Sequence, residues 1–150
     1  MQLEIITTKL KLSSAEGTLL RDYLARISKT YSAKIIELSR HHTSKDLESA
    51  ALLNLISDRD FVILLDEKGI KFSSPAFADN FGRILSSAGA KKIIFIVAGA
   101  HGADLKLKTR ANLIWSFSDQ VFPHKLFLIM LAEQIYRTIC ILQNHPYHHK

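Results

Sequence analysis

The chain has 150 residues, 47 % of them hydrophobic and 23 % charged. That is the size and balance of one globular domain, residues 1–150, and it argues against disordered, fibrous and disulfide-scaffold classes. The formal net charge of +6 is uneven, because residues 76–150 carry nine basic against four acidic side chains and five of the seven histidines. Such a surplus commonly meets a polyanion, although it raises affinity without specifying a partner.

Taken in chain order, short apolar runs alternate with stretches of helical period. Gln2 to Thr7 reads as a first strand. Ser13 and Glu16 form a capping-box pattern ahead of a helix whose Leu19, Leu20, Tyr23, Leu24 and Ile27 share one face. Lys34 to Leu38 is a second strand. Thr43 and Ser44 are caps for a second helix, with Leu47, Ala51 and Leu55 on its apolar side. Phe61 to Leu65 lacks polar alternation and is expected to be buried on both faces. In the third helix Ser74 is the cap, Pro75 occupies the first turn and Gly89 suits the end, while Phe77, Phe81, Ile84, Leu85 and Ala88 follow the 3.6-residue period. Lys92 to Val97 is a fourth buried strand, Ala103 to Ala111 a short helix, Leu113 to Ser116 a fifth strand, and Lys125 to Leu142 a long final helix. This alternation predicts an α/β architecture, a mostly parallel sheet sandwiched by helices.

In such sheets ligands sit beyond the carboxyl ends of the strands. The ends here are Thr7-Thr8, Leu38-Ser39, Leu65-Asp66, Val97-Ala98-Gly99 and Ser116-Phe117-Ser118. Ala98-Gly99-Ala100-His101-Gly102 offers free backbone N–H groups to a polar ligand, or is a simple tight turn. It is neither a dinucleotide fingerprint nor a P-loop. Leu65-Asp66-Glu67-Lys68-Gly69 places an acid where a phosphate-accepting receiver domain has one, but Thr7 and Thr8 stand where that chemistry needs metal-holding acids, so a solvated turn is the plainer reading. Trp115 to His124 mixes apolar walls with serine, aspartate and glutamine, a composition suited to a nucleoside pocket and also to core aromatics beside an ordinary loop. Arg21, Arg26, Lys29, Arg40, His41, His42 and Lys45 offer phosphate contacts or a solvated helix face.

The final helix is apolar from Leu126 to Leu142 apart from Glu133, Gln134, Arg137 and Thr138. Central charges and a length short of about 20 residues argue against a membrane span, so a helix buried on more than one side is expected, with a twofold partner covering the outer side. The tail holds His145, His148 and His149, but without cysteine it points to no metal site. Cys140, the single cysteine, excludes an internal disulfide and reads as a small buried residue. Met1 to Lys11 lacks the charged start and long apolar run of a secretory leader, and a cytoplasmic location is expected.

The run from Trp115 to Lys150, with Trp-Ser-Phe-Ser, Phe-Pro-His, Glu-Gln-Ile-Tyr-Arg and Asn-His-Pro-Tyr-His, resembles the RlmH family, SPOUT-class enzymes acting on a pseudouridine of large-subunit ribosomal RNA. The order of elements and the total length also match. The resemblance implies a C-terminal trefoil knot, a homodimer, S-adenosyl-L-methionine as cofactor, and methylation of pseudouridine ring nitrogen N3 on the large subunit or the assembled ribosome. It implies a cofactor pocket made by Leu65, Gly99 and the segment Phe117, Ser118, Asp119, Gln120, Val121 and Phe122. His124 and His148 become candidates for the proton acceptor, and Tyr147 for stacking on the base. The tail of one chain is placed to reach the pocket of the other. The chain departs from the family pattern in four places: Ala98 replaces the first of two glycines, Lys71 stands one residue late, Leu128 replaces an arginine, and the tail ends His149-Lys150 where arginine is common after Tyr-His. These departures define a rival, a non-catalytic SPOUT-fold dimer that binds RNA or nucleotide.

Overall fold

The computed structural model describes residues 1–8, 10–39, 42–87, 89 and 92–149. Arg40, His41, Ala88 and Lys150, named above, lie outside the described residues. The elements run β1 (Gln2–Thr7), α1 (Ser14–Ile27), β2 (Ser32–Glu37), α2 (Lys45–Leu53), β3 (Phe61–Lys71), α3 (Ser74–Ser87), β4 (Lys92–Val97), α4 (Leu105–Arg110), β5 (Leu113–Ser116) and α5 (His124–Leu142). The five strands form one sheet of order β2-β1-β4-β3-β5. Every neighbouring pair is parallel. Parallel pairing requires crossover connections, and the crossovers place helices over both faces.

Side chains alternate along a strand, so each strand feeds two cores. Leu3, Ile5, Ile63, Leu65, Ile93 and Phe95 face one side and pack with Leu20, Phe77, Phe81, Leu128, Leu131 and Ile135. On that side α1 and α3 both pack against α5. Ile6, Val62, Leu64, Ile94 and Ile96 face the other side and meet Leu52, Ala103 and Leu107, where α2 packs on α4. Cys140 is buried, as expected. At the amino ends of the strands, buried Glu4 is 1 % exposed and is offset by Lys34 and Lys92, each at 3.1 Å.

The capping box forms: Glu16 N–H donates to the Ser13 hydroxyl at 3.3 Å, and Ser13 N–H donates to the Glu16 carboxylate at 2.6 Å. Ser13→Ala is expected to lower unfolding stability by about 1 kcal/mol, read by urea denaturation, because the Glu16 N–H in the first turn of α1 loses its acceptor. Ser44 caps α2 by accepting from Leu47 N–H.

Three details differ from the sequence expectation. Leu19, Leu47 and Leu55 are exposed at 53 %, 57 % and 39 %. In the short α2 the buried positions are Glu48, Ser49 and Leu52, so its inner face lies one residue away from the apolar spacing. Two polar side chains on that face satisfy loop backbone, which hydrophobic period cannot register. In α3 Ser74 is already helical and the preceding Ser73 accepts from Ala76 N–H, while the Ser74 hydroxyl donates to Gln134 of α5.

β3 also runs six residues beyond Leu65. Both Leu65 and Ile70 register with Trp115, so 66–69 bulge out and the strand resumes with Lys71 opposite Ser116. The bulge carries the Asp66 turn to the carboxyl edge of the sheet, where Lys71 pairs with Asp119 beyond β5.

Candidate active site

The carboxyl edge of the sheet opens into a cleft of about 910 Å³, within the ordinary range of small-molecule sites. Three chain segments converge there: Leu65 to Lys68, Val97 to Ala103, and Trp115 to Phe122 with Asp119 excepted. Leu65, Gly99, Phe117, Ser118, Gln120, Val121, Phe122 and His124 all line it. Asp119 does not; its side chain is 83 % exposed and pairs with Lys71.

An aromatic wall bounds one side. Trp115 is 3 % exposed and stacks on Phe77 of the core at 3.6 Å and 10°. From it the chain of rings continues through Phe117 at 4.7 Å to Phe127 at 4.8 Å and on to Phe122 at 6.2 Å. Anchoring the first ring in the core fixes the others, which gives a rigid apolar surface for a planar ligand. The loop that follows is braced by its own serines: Ser116 donates to the Ser118 carbonyl, and the Ser118 hydroxyl accepts from Gln120 N–H.

The glycine loop forms the opposite wall. Gly102 N–H closes a turn on the Gly99 carbonyl at 2.9 Å, and Gly99 N–H donates to the Glu48 carboxylate at 2.8 Å. A Cβ at Gly99 would stand 2.8 Å from Glu48 Oε2 and 3.0 Å from Thr8 Oγ1, so the position tolerates no side chain without movement. Glu48 is 3 % exposed. It went unnoticed in the sequence because it stands on the polar side of an amphipathic pattern; only its coincidence with the glycine loop in space marks it. The methyl of Ala98, where the family pattern has glycine, packs against the second core.

Electrostatics single out two groups. Burial opposes ionisation of Asp66, but the Lys108 ammonium at 2.7 Å and the Lys68 N–H outweigh it and hold the carboxyl below its ordinary range. His124 opens α5 and its Nε2 lies 2.7 Å from the hydroxyl of Thr7, which is fully buried. Burial lowers the imidazole pKa, with the Glu48 charge pulling the other way. The positive end of the α5 dipole also disfavours imidazolium.

The other two candidates lie elsewhere. Tyr147 donates to Glu133 at 3.0 Å, and its ring meets Tyr136 edge-on at 4.8 Å and the Arg137 guanidinium at 4.8 Å. Burial, then hydrogen bonding with Tyr23 and Glu133, pushes its phenol far above the ordinary tyrosine range, so it stays protonated. His148 accepts from Arg137 at 3.3 Å. Neither lines the cleft of its own chain. Tyr147 directly, and His148 through Arg137, are tied to Glu133, which borders a second groove of about 370 Å³ that shares Trp115, Phe117 and Phe122 with the cleft and includes Ile129 and Met130. Leu128, where the family pattern has arginine, is fully buried in the core. Among the described residues no group of three His, Cys, Asp or Glu side chains is placed to hold a metal, and no helix is long and apolar enough to cross a membrane.

A family model described as "Predicted SPOUT methyltransferase" matches residues 1–148. A protein of Agrobacterium fabrum named ribosomal RNA large subunit methyltransferase H is 33 % identical over 99 % of both chains. Another of that name from Phenylobacterium zucineum is 34 % identical over the same shares. A third from Desulfitobacterium hafniense is 41 % identical over 69 % of this chain and 64 % of its own. A match that spans all ten elements settles the assignment: the chain belongs to the SPOUT methyltransferase family.

Proposed function

We propose that the chain is an S-adenosyl-L-methionine-dependent methyltransferase acting on ring nitrogen N3 of a pseudouridine in large-subunit ribosomal RNA, on the assembled ribosome, in the cytoplasm. The observation that carries the reading is the convergence of Leu65, Gly99 and Phe117 to Phe122 on one cleft. The names of the full-length relatives support the substrate class. The residues suit the cofactor. The aromatic wall offers a face for an adenine ring. The Glu48 and Asp66 carboxylates border the space that would receive a cationic sulfonium.

When bound, that cofactor supplies an electrophilic methyl group. The chain's part is to present an imide nitrogen in line within about 3–3.5 Å and to take or balance its proton. His124, held neutral and fixed by Thr7, is the acceptor this cleft offers. Lys11, Lys45 and Lys68 line the same cleft and suit the phosphates flanking the target.

A homodimer with the family's trefoil knot completes the reading. Leu126 and Met130 remain exposed along α5, and the groove beside them adjoins the aromatic wall. A partner covering that groove would bring its Tyr147 and His148 towards the base, with Tyr147 stacking or donating rather than acting as a base. The non-catalytic rival loses its support: Leu128 is buried in the core, Ala98 packs inward, and the relatives carry the name of methyltransferases.

The test is transfer of labelled methyl from S-adenosyl-L-methionine to ribosomes lacking the modification, beside free ribosomal RNA. Label on ribosomes, mapped by mass spectrometry to a pseudouridine, is the expected result. No label on either substrate, from a dimer that binds the cofactor, overturns it.

A further inference from the structure

We infer that Glu48 is a positioning residue for the methyl-donor site. It acts by holding the glycine loop through the Gly99 N–H. The inference rests on the reading of the cleft as that site.

Glu48 is a carboxylate at 3 % exposure that forms no ion pair among the described residues. Burying a carboxylate costs several kcal/mol unless it is paired or hydrogen-bonded, so a residue whose only task was to complete α2 would be better apolar. What the carboxylate does is accept the Gly99 N–H at 2.8 Å, a charge-assisted bond across 51 positions of sequence. The next residue makes the matching contact: the Ser49 hydroxyl accepts Asp104 N–H at 3.0 Å. Asp104 in turn caps α4 through Leu107 N–H at 2.8 Å. One turn of α2 therefore grips both ends of the 99–104 segment, whose interior is held by the Gly102-to-Gly99 turn and by Ala103 in the second core. The fit around Gly99 is tight, since an added Cβ would meet Glu48 Oε2 at 2.8 Å. With Gly99 N–H held by Glu48, the loop that lines the cleft is kept in one arrangement. Preorganisation of this kind raises affinity by removing the ordering cost of binding.

The test uses the full chain and two readouts. Calorimetry with S-adenosylhomocysteine is expected to show about tenfold weaker binding for Glu48→Ala. Glu48→Gln, whose amide oxygen still accepts, is expected to remain within about threefold of wild type. In the ligand-free protein, amide exchange at Gly99 is expected to accelerate at least tenfold in Glu48→Ala and far less in Glu48→Gln. Gly99→Ala is expected to cost less affinity in the Glu48→Ala background than in wild type, because the nearest clash has gone. Unchanged exchange and unchanged affinity in Glu48→Ala overturn the inference, as does equal damage by the alanine and glutamine variants in both readouts. Wild-type protein that fails to bind S-adenosylhomocysteine overturns the site reading instead, and Gly99 exchange then still decides the role of Glu48. If the alanine variant fails to fold, glutamine with slow Gly99 exchange supports the inference and glutamine with fast exchange overturns it.

Discussion

Alanine at His124 is expected to lower turnover by about 10²–10⁴-fold while cofactor affinity stays within about threefold of wild type. The side chain lines the cleft, is held by Thr7, and has a pKa lowered by burial. Its partner decides its tautomer. A threonine hydroxyl both donates and accepts, so Thr7 can take the Nε2 proton and leave Nδ1 with a free lone pair, or donate to Nε2 and leave Nδ1–H as a donor for the developing charge on the pyrimidine ring. Either arrangement needs a neutral imidazole. Burial lowers the folded pKa below its ordinary 6.5, so the neutral form already dominates at pH 7 and is lost only as pH falls through that lowered value. The pH profile of kcat/KM is therefore expected to be flat on the neutral side and to drop below about pH 6.5, with that acid limb absent from the residual activity of His124→Ala. Thr7→Val keeps the shape and removes the hydroxyl, and should move the acid limb as well as the rate. Alanine at His148 is the companion measurement, since in its own chain His148 is engaged by Arg137 away from the cleft. Wild-type turnover in both histidine variants would remove the imidazoles from the chemistry.

The parts of the fold legible in the sequence were those written in local pattern. Strands β1, β4 and β5 fall on the residues their apolar runs marked, because a buried parallel strand leaves an uninterrupted signature. The Ser13–Glu16 box starts α1 because capping is a matter of four consecutive residues. What could not be read depends on contacts distant in sequence. The inner face of α2 is polar at Glu48 and Ser49 because a loop 51 to 55 residues later supplies their partners. The extension of β3 to Lys71 depends on β5, which re-pairs after the bulge. The site shows the same division. Strand ends beside glycine and aromatic residues could be picked out singly, and the family resemblance joined them. Glu48 and Thr7, which orient the glycine loop and His124, carry no motif of their own.

The bulge at 66–69 also sets the largest stability effect expected of a one-methyl change. Gly69 passes so close to β5 that a Cβ there would stand 2.6 Å from the Ile114 carbonyl oxygen, 2.7 Å from its carbon and 2.8 Å from the Trp115 carbonyl carbon. All three are backbone atoms of β5, the edge strand paired to β3, and none can rotate away as a side-chain end would. Overpacking into a rigid site typically costs about 1–3 kcal/mol and sometimes more. Here the strain falls on the register that carries both Trp115 and the Asp66 turn to the cleft. Gly69→Ala is expected to cost about 3 kcal/mol or more in urea denaturation and to weaken cofactor binding with it. Gly17 is the internal control. It lies inside α1, and the nearest atom to its added Cβ is the end of the Arg21 side chain at 3.1 Å, which can swing aside. Alanine there is expected to be neutral or to stabilise by roughly 0.5–1 kcal/mol, since glycine is a poor helix former. A Gly69→Ala protein as stable as wild type would mean that β3 and β5 do not approach as described, and the placement of the Asp66 turn in the cleft would fall with that contact.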